Sequence, residues 1–156
     1  MIQLKYNQIE LVRPLVEERI AGSKIGARCP IDYVMSVAGV NAVSGRITVF
    51  VDRLEDPQAV LGLTYAHASF CDETAVIMNL IYVSEKVRSE NGRLAITLTN
   101  EMFQTAEAFA AARRADVLQA ASWIYRESPD ISNLLKHHGF EPQTIEFVKI
   151  LNQPKQ

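Results

Sequence analysis

The sequence predicts a single α/β domain whose sheet is mixed, mostly antiparallel with one parallel strand pair, and flanked by helices. Three stretches carry that prediction. Residues 46–51 alternate, with Ile47, Val49 and Val51 on one side, as a half-buried strand does. Residues 74–83 (TAVIMNLIYV) form a near-continuous apolar run, the pattern of a central strand buried on both faces. Leu94, Leu98, Met102, Ala106 and Phe109 then recur at helical spacing over about five turns, and residues 116–122 read as a strand again. Strand, long helix and strand make a crossover, which sets those two strands parallel.

The remaining elements fill in around these. Residues 1–6 suit a short edge strand, and Asn7 is the expected cap of a first helix carrying Ile9, Val12, Val16 and Ile20, with Pro14 disturbing its start. Gly22 and Gly26 end that helix. Pro30 suits the first position of a second, short helix with Ile31, Val34, Met35 and Val37, closed by Gly39 and Gly45. Residues 54–58 make a polar turn, 59–68 a second strand, and Asp72 with Glu73 another turn, so three strands form an antiparallel meander. After the crossover, residues 131–138 make a short helix stopped by Gly139, and 144–151 a last strand. No repeat, linker or low-complexity tract divides residues 1–156, so one domain is expected.

Composition narrows the function classes. Hydrophobic residues at 48% and charged residues at 22% are ordinary globular usage. A chain of 156 residues buries roughly 70% of its unfolded surface and needs no staple. A formal charge of −2 speaks against a nucleic acid held by a general basic field. Cys29 and Cys71 stand in no metal-ligand or disulfide pattern, so no metal is expected and a reducing cytoplasm fits. The opening MIQLKYNQIELV lacks a basic flank, an apolar core and a cleavage site, and no apolar run reaches a membrane span of about 18 residues. An intracellular, unprocessed chain without a membrane partner is the expectation.

The informative segment joins the apolar strand to the long helix: Val83 through Leu94, sequence VSEKVRSENGRL. A helix N-terminus offers unpaired N–H groups and the positive end of the dipole, and here Arg88, Arg93, Asn91 and Gly92 stand beside it, a setting for an anion. The alternative is a strand-to-helix loop with an Asn-Gly cap and solvated arginines. The segment resembles the acetyl-CoA signature of the GCN5-related N-acetyltransferase (GNAT) superfamily, an apolar strand ending in Q/R-x-x-G-x-G/A and opening a long helix. Arg88 takes the Q/R position, Asn91 the first glycine and Arg93 the last small residue. Two of the three depart from the pattern.

A second segment, Ser128 to Phe140 (SPDISNLLKHHGF), resembles the same superfamily's short helix ending in Gly-Phe before the last strands, and the order of elements agrees along the chain. There the superfamily often has a tyrosine four residues before the glycine, which protonates the departing CoA thiolate; this chain has Leu135. An apolar side chain transfers no proton. His138 and Tyr125 are the candidate catalytic groups in its stead. The bland readings are a solvated pair, His137 and His138, at a helix C-terminus and an aromatic Tyr125 packed beside Trp123. His67 and Asn79 read first as structural residues, with Asn79 also a candidate site of strand splay.

The resemblance implies a GNAT-like fold with two parallel strands splayed apart, the pantetheine arm of acetyl-CoA pairing with the backbone of Leu80, Ile81, Tyr82 and Val83. It implies that the pyrophosphate meets Arg88, Ser89, Glu90, Asn91, Gly92, Arg93 and Leu94. An amine, of an identity the sequence does not disclose, then attacks the thioester directly, with no acyl-enzyme and no role for Cys71 as a nucleophile. The other class of reading is a catalytically silent module of the same fold that retains CoA binding. A third, a nucleic-acid modifier, rests only on Arg88, Arg93, Arg113 and Arg114. Homodimers through terminal strands are common in proteins that look like this, so a homodimer is also expected.

Overall fold

A computed structural model describes residues 1–22, 30–67, 73–120 and 132–141. Strand β1 (Ile2–Gln3) leads into a 3-10 helix (Tyr6–Val12) and α1 (Arg13–Ala21). Asn7 is not the cap: the 3-10 helix starts one residue earlier, and the Gln8 side chain accepts the Lys5 amide at 2.9 Å instead. Pro14 lies in the first turn of α1, where its missing N–H costs nothing. Helix α2 spans Ile31–Val43, longer than expected because Gly39 sits inside it; Gly45, at φ 69°, ends the segment.

Strands β2 (Ile47–Val51), β3 (Ala59–His67) and β4 (Thr74–Val83) follow as the expected antiparallel meander. Between β2 and β3 the Asp52 carboxylate closes the turn, Oδ1 accepting the amides of Gln58 at 2.8 Å and Ala59 at 2.9 Å. Two helices then stand where one was expected: α3 (Glu85–Glu90) and α4 (Gly92–Arg113). Strand β5 (Val117–Ala120) pairs with β4 in parallel, completing a sheet ordered β1-β2-β3-β4-β5. Helix α5 (Ser132–His137) is the last described element. Tyr125, Cys29, Cys71, Asp72 and the expected strand at 144–151 lie outside the described residues.

Each face of the sheet is covered. Ile9, Val12, Leu15, Val16 and Met35 from the N-terminal helices pack on Val49, Val51 and Val60. On the other face Leu98, Met102, Phe103, Ala106 and Ala110 of α4 pack on Leu61, Leu63, Val76 and Met78, a burial of roughly 1.5–3 kcal/mol for each large side chain.

Strand β4 changes phase midway. Gly62 pairs with Leu80 but Leu63 pairs with Met78, so Asn79 is an extra, bulged residue. Before it Val76 and Met78 face α4; after it Ile81 and Val83 do, while Leu80 and Tyr82 face α1 and α2. The sequence shows only an unbroken apolar run because the bulge moves apolar residues from even to odd positions. Gly62 lies opposite, where an added Cβ would stand 3.2 Å from the Leu80 Cβ, so the two backbones meet closely because no side chain intervenes.

Candidate functional site

The end of β4 is held from three sides. The Tyr82 hydroxyl donates to Glu18 Oε1 of α1 at 2.6 Å, and the same carboxylate oxygen accepts the amide of Glu85, the first residue of α3. Arg88 donates from Nη2 to the Tyr82 hydroxyl and from Nε to the Val83 carbonyl, both at 3.0 Å, with its guanidinium 5.2 Å from the Tyr82 ring centre. Burial of the Tyr82 ring and the neighbouring Glu18 carboxylate push its phenol up to about 12, against the opposing charge of Arg88. Ser84, buried, adds the third side: its amide donates to the Gln58 carbonyl at 2.8 Å and its hydroxyl to Gln58 Oε1 at 2.9 Å.

The expected phosphate loop is therefore mostly a helix. Ser84 caps α3, its Oγ accepting the Val87 amide at 3.4 Å, and Val87 is buried against the α4 core. The amides of Arg88 and Asn91 bond back to Ser84 and Val87 at 3.0 and 2.9 Å. Asn91 caps α4 in turn, Oδ1 accepting the Leu94 amide at 3.1 Å. Of the residues expected to meet a diphosphate, Gly92 and Arg93 keep backbone N–H groups with no partner among the described residues, the orphan donors of a helix N-terminus. An added Cβ at Gly92 would meet nothing within 4 Å, and the Arg93 side chain is exposed. Arg88, by contrast, is turned back onto β4. A groove of about 270 Å³ borders this junction on the side of the β2–β3 turn, lined by Arg53, Gln58, Lys86, Glu90 and Asn91 among others.

Helix α5 docks on α4 through its C-terminal cap. The Phe140 amide bonds to Leu135 O at 3.0 Å and the Gly139 amide to Lys136 O at 3.0 Å, a Schellman arrangement that needs the positive φ of Gly139, 78°. The cap sets Phe140 against Phe103, ring centres 5.7 Å apart, and stacks His138 on Phe103 at 4.0 Å. His138 Nε2 donates to Asn100 Oδ1 at 3.1 Å. Leu135 is 8% exposed and belongs to the α4 core. The Gly-Phe signature thus has a packing cause, and the candidate His138 is half-buried and engaged rather than solvated.

Residues that sequence reasoning missed are Glu18, Gln58 and Asn100, each a polar side chain on a face that reads as solvated. Asn79, a polar residue in an apolar strand, was expected to find its hydrogen bond on backbone; its side chain donates instead to the Thr64 hydroxyl. Among the described residues no group of His, Cys, Asp or Glu is gathered to hold a metal, and no helix is long and apolar enough to cross a membrane.

No protein-family model and no curated protein matches the sequence. Solved structures do match the fold along its length. A protein named "probable acetyltransferase" superposes with a TM-score of 0.69 at 13% identity, over 99% of this chain and 98% of its own. The ribosomal-protein-alanine N-acetyltransferase of Brucella melitensis biovar Abortus gives 0.68 at 13% identity, over 96% and 97%. This is the GNAT acetyltransferase fold. An aminoglycoside acetyltransferase from an uncultured soil metagenomic sample shares the GNAT fold too, at 0.65 and 12% identity over 96% and 94%. The mixed sheet, with an antiparallel part and the parallel β4–β5 pair, is the architecture expected of GNAT proteins.

Proposed function

We propose that the chain is an acyltransferase that uses acetyl-CoA or a related acyl-CoA and passes the acyl group directly to an amine. The observation that carries the reading is the parallel β4–β5 pair joined through α4, with β4 bulged at Asn79, in a chain whose fold neighbours are named acetyltransferases. CoA supplies the activated thioester. The residues available to its diphosphate are the Gly92 and Arg93 amides and the Arg93 guanidinium, at the positive end of a 22-residue helix. Arg88 supports the site by fixing the end of β4. Leu80 to Val83 offer a backbone edge to the pantetheine arm.

For the proton given to the leaving thiolate, His138 and Tyr125 are the side chains this reading holds open. His138 carries the stronger argument, since its Asn100 bond at 3.1 Å fixes the ring. Calorimetric titration of acetyl-CoA into the protein tests the proposal. Binding is expected below millimolar ligand, and no heat at millimolar ligand ends it.

Two observations favour the silent-module reading: Leu135 is packed in the core, and the expected loop is replaced by α3. That reading predicts CoA binding without release of free thiol over a broad panel of amines. Release with any amine removes it.

A further inference from the structure

The outward face of α2 carries no charge. Asp32 is the helix's sole charged residue; it lies to one side, and Arg13 Nη1 donates to it at 2.8 Å. Tyr33, Val37, Val40 and Val43 are exposed at 67, 42, 66 and 69%, following one another at three- and four-residue steps beside Ser36 and Ser44. A surface helix ordinarily sets charged residues opposite its buried stripe, and one apolar all round is a helix with cover on both sides. The buried side is accounted for by Met35, with Ile31, Val34, Ala38 and Ala42 packed beside it on the N-terminal core.

We propose that this face seats a second copy of the chain, with α2 running antiparallel to its counterpart across a two-fold axis near residue 38. The stripe is self-complementary about that point. Tyr33 meets Val43 of the partner subunit, and Val37 meets Val40 of the partner subunit, so each large side chain faces another. Charge agrees with the same alignment. Asp32 stands at the N-terminal end with its side chain 88% exposed despite the Arg13 bond, and Arg46 stands just past the C-terminal end with no partner among the described residues. Antiparallel pairing brings each Arg46 toward the partner's Asp32, and sets each helix dipole against its opposite.

The contact is modest in size. A 13-residue helix is about 20 Å long, and its stripe alone falls short of the roughly 800 Å² per partner of a standard interface. The 3-10 helix, which packs on α2, adds exposed Tyr6 and Leu11. A weak, concentration-dependent dimer follows.

Sedimentation equilibrium of the full chain over a wide protein range is the test. Mass should rise from the monomer's 17.5 kDa toward twice that value. Val40→Glu should raise the dissociation constant at least tenfold with an unchanged circular dichroism spectrum; Val40→Ser serves the same purpose if the charge impairs folding. Arg46→Glu should weaken the dimer several-fold, and adding Asp32→Lys should restore it. A chain that stays monomeric at the highest concentration leaves α2 to some other partner and overturns the proposal. So does a dimer that neither Val40 variant weakens.

Discussion

Arg88 Nε donates to the Val83 carbonyl at 3.0 Å, tying the middle of α3 to the last residue of β4. A guanidinium committed to a backbone carbonyl and a phenol oxygen acts first as a support. Arg88→Ala should therefore cost about 1–2 kcal/mol of stability in urea unfolding, the scale of one or two net hydrogen bonds. Arg93→Ala, at an exposed site whose side chain has no partner among the described residues, should change stability by less than about 0.5 kcal/mol and weaken CoA binding several-fold in calorimetry. The opposite pattern would make Arg88 the anion contact.

Tyr82 gives the fold an alkaline sensitivity. Its phenol is raised from 10 to about 12, so the folded state prefers the protonated form. The stabilisation is complete below pH 10 and drains away as pH rises through about 12. A late phenol titration in ultraviolet absorbance, lost in Tyr82→Phe, should mark this group, and Glu18→Gln should bring that step earlier by removing the acceptor carboxylate. A titration curve that Tyr82→Phe alters only near pH 10 would refute this.

Gly62 is packed against β4. With a new Cβ 3.2 Å from the Leu80 Cβ and 3.5 Å from Ile47 Cδ1, Gly62→Ala should cost about 1–3 kcal/mol through displacement of a buried strand pair. Denaturant midpoints report the loss. Gly92→Ala, with open space around it, should leave the midpoint nearly unchanged.

His138 can be separated into its two roles. His138→Ala removes the Phe103 stack and the Asn100 bond and should lower stability by about 1–2 kcal/mol. His138→Gln keeps a donor near Asn100. If His138 supplies the catalytic proton, His138→Gln folds well yet loses the alkaline limb of the pH–rate profile; a rate and profile equal to the native protein's would leave it a packing residue.

Much of the fold was legible because its periodicities are local. The meander, β4 from Thr74 to Val83, and the apolar face of α4 need only their own residues to announce them. What escaped was set by partners far along the chain. Helix α3 exists because Ser84 finds Gln58, 26 residues earlier, and the Glu85 amide finds Glu18, 67 residues earlier; neither pairing leaves a mark on the polar string SEKVRSE. The anion-binding expectation was formed on that string as a loop, and it narrows to Gly92 and Arg93 once the Asn91 amide is bonded to Val87 and the Asn91 side chain caps the Leu94 amide. Asn79 was conspicuous as a polar residue in an apolar run, but its doubling against β3 is a matter of register, which no single strand contains.

That doubling makes β4 two half-strands spliced out of step. Deleting Asn79 would bring Met78 and Leu80 side by side opposite Leu63 and Gly62, so the strand would run on in plain alternation, with Tyr82 still toward Glu18 and Ile81 still toward α4.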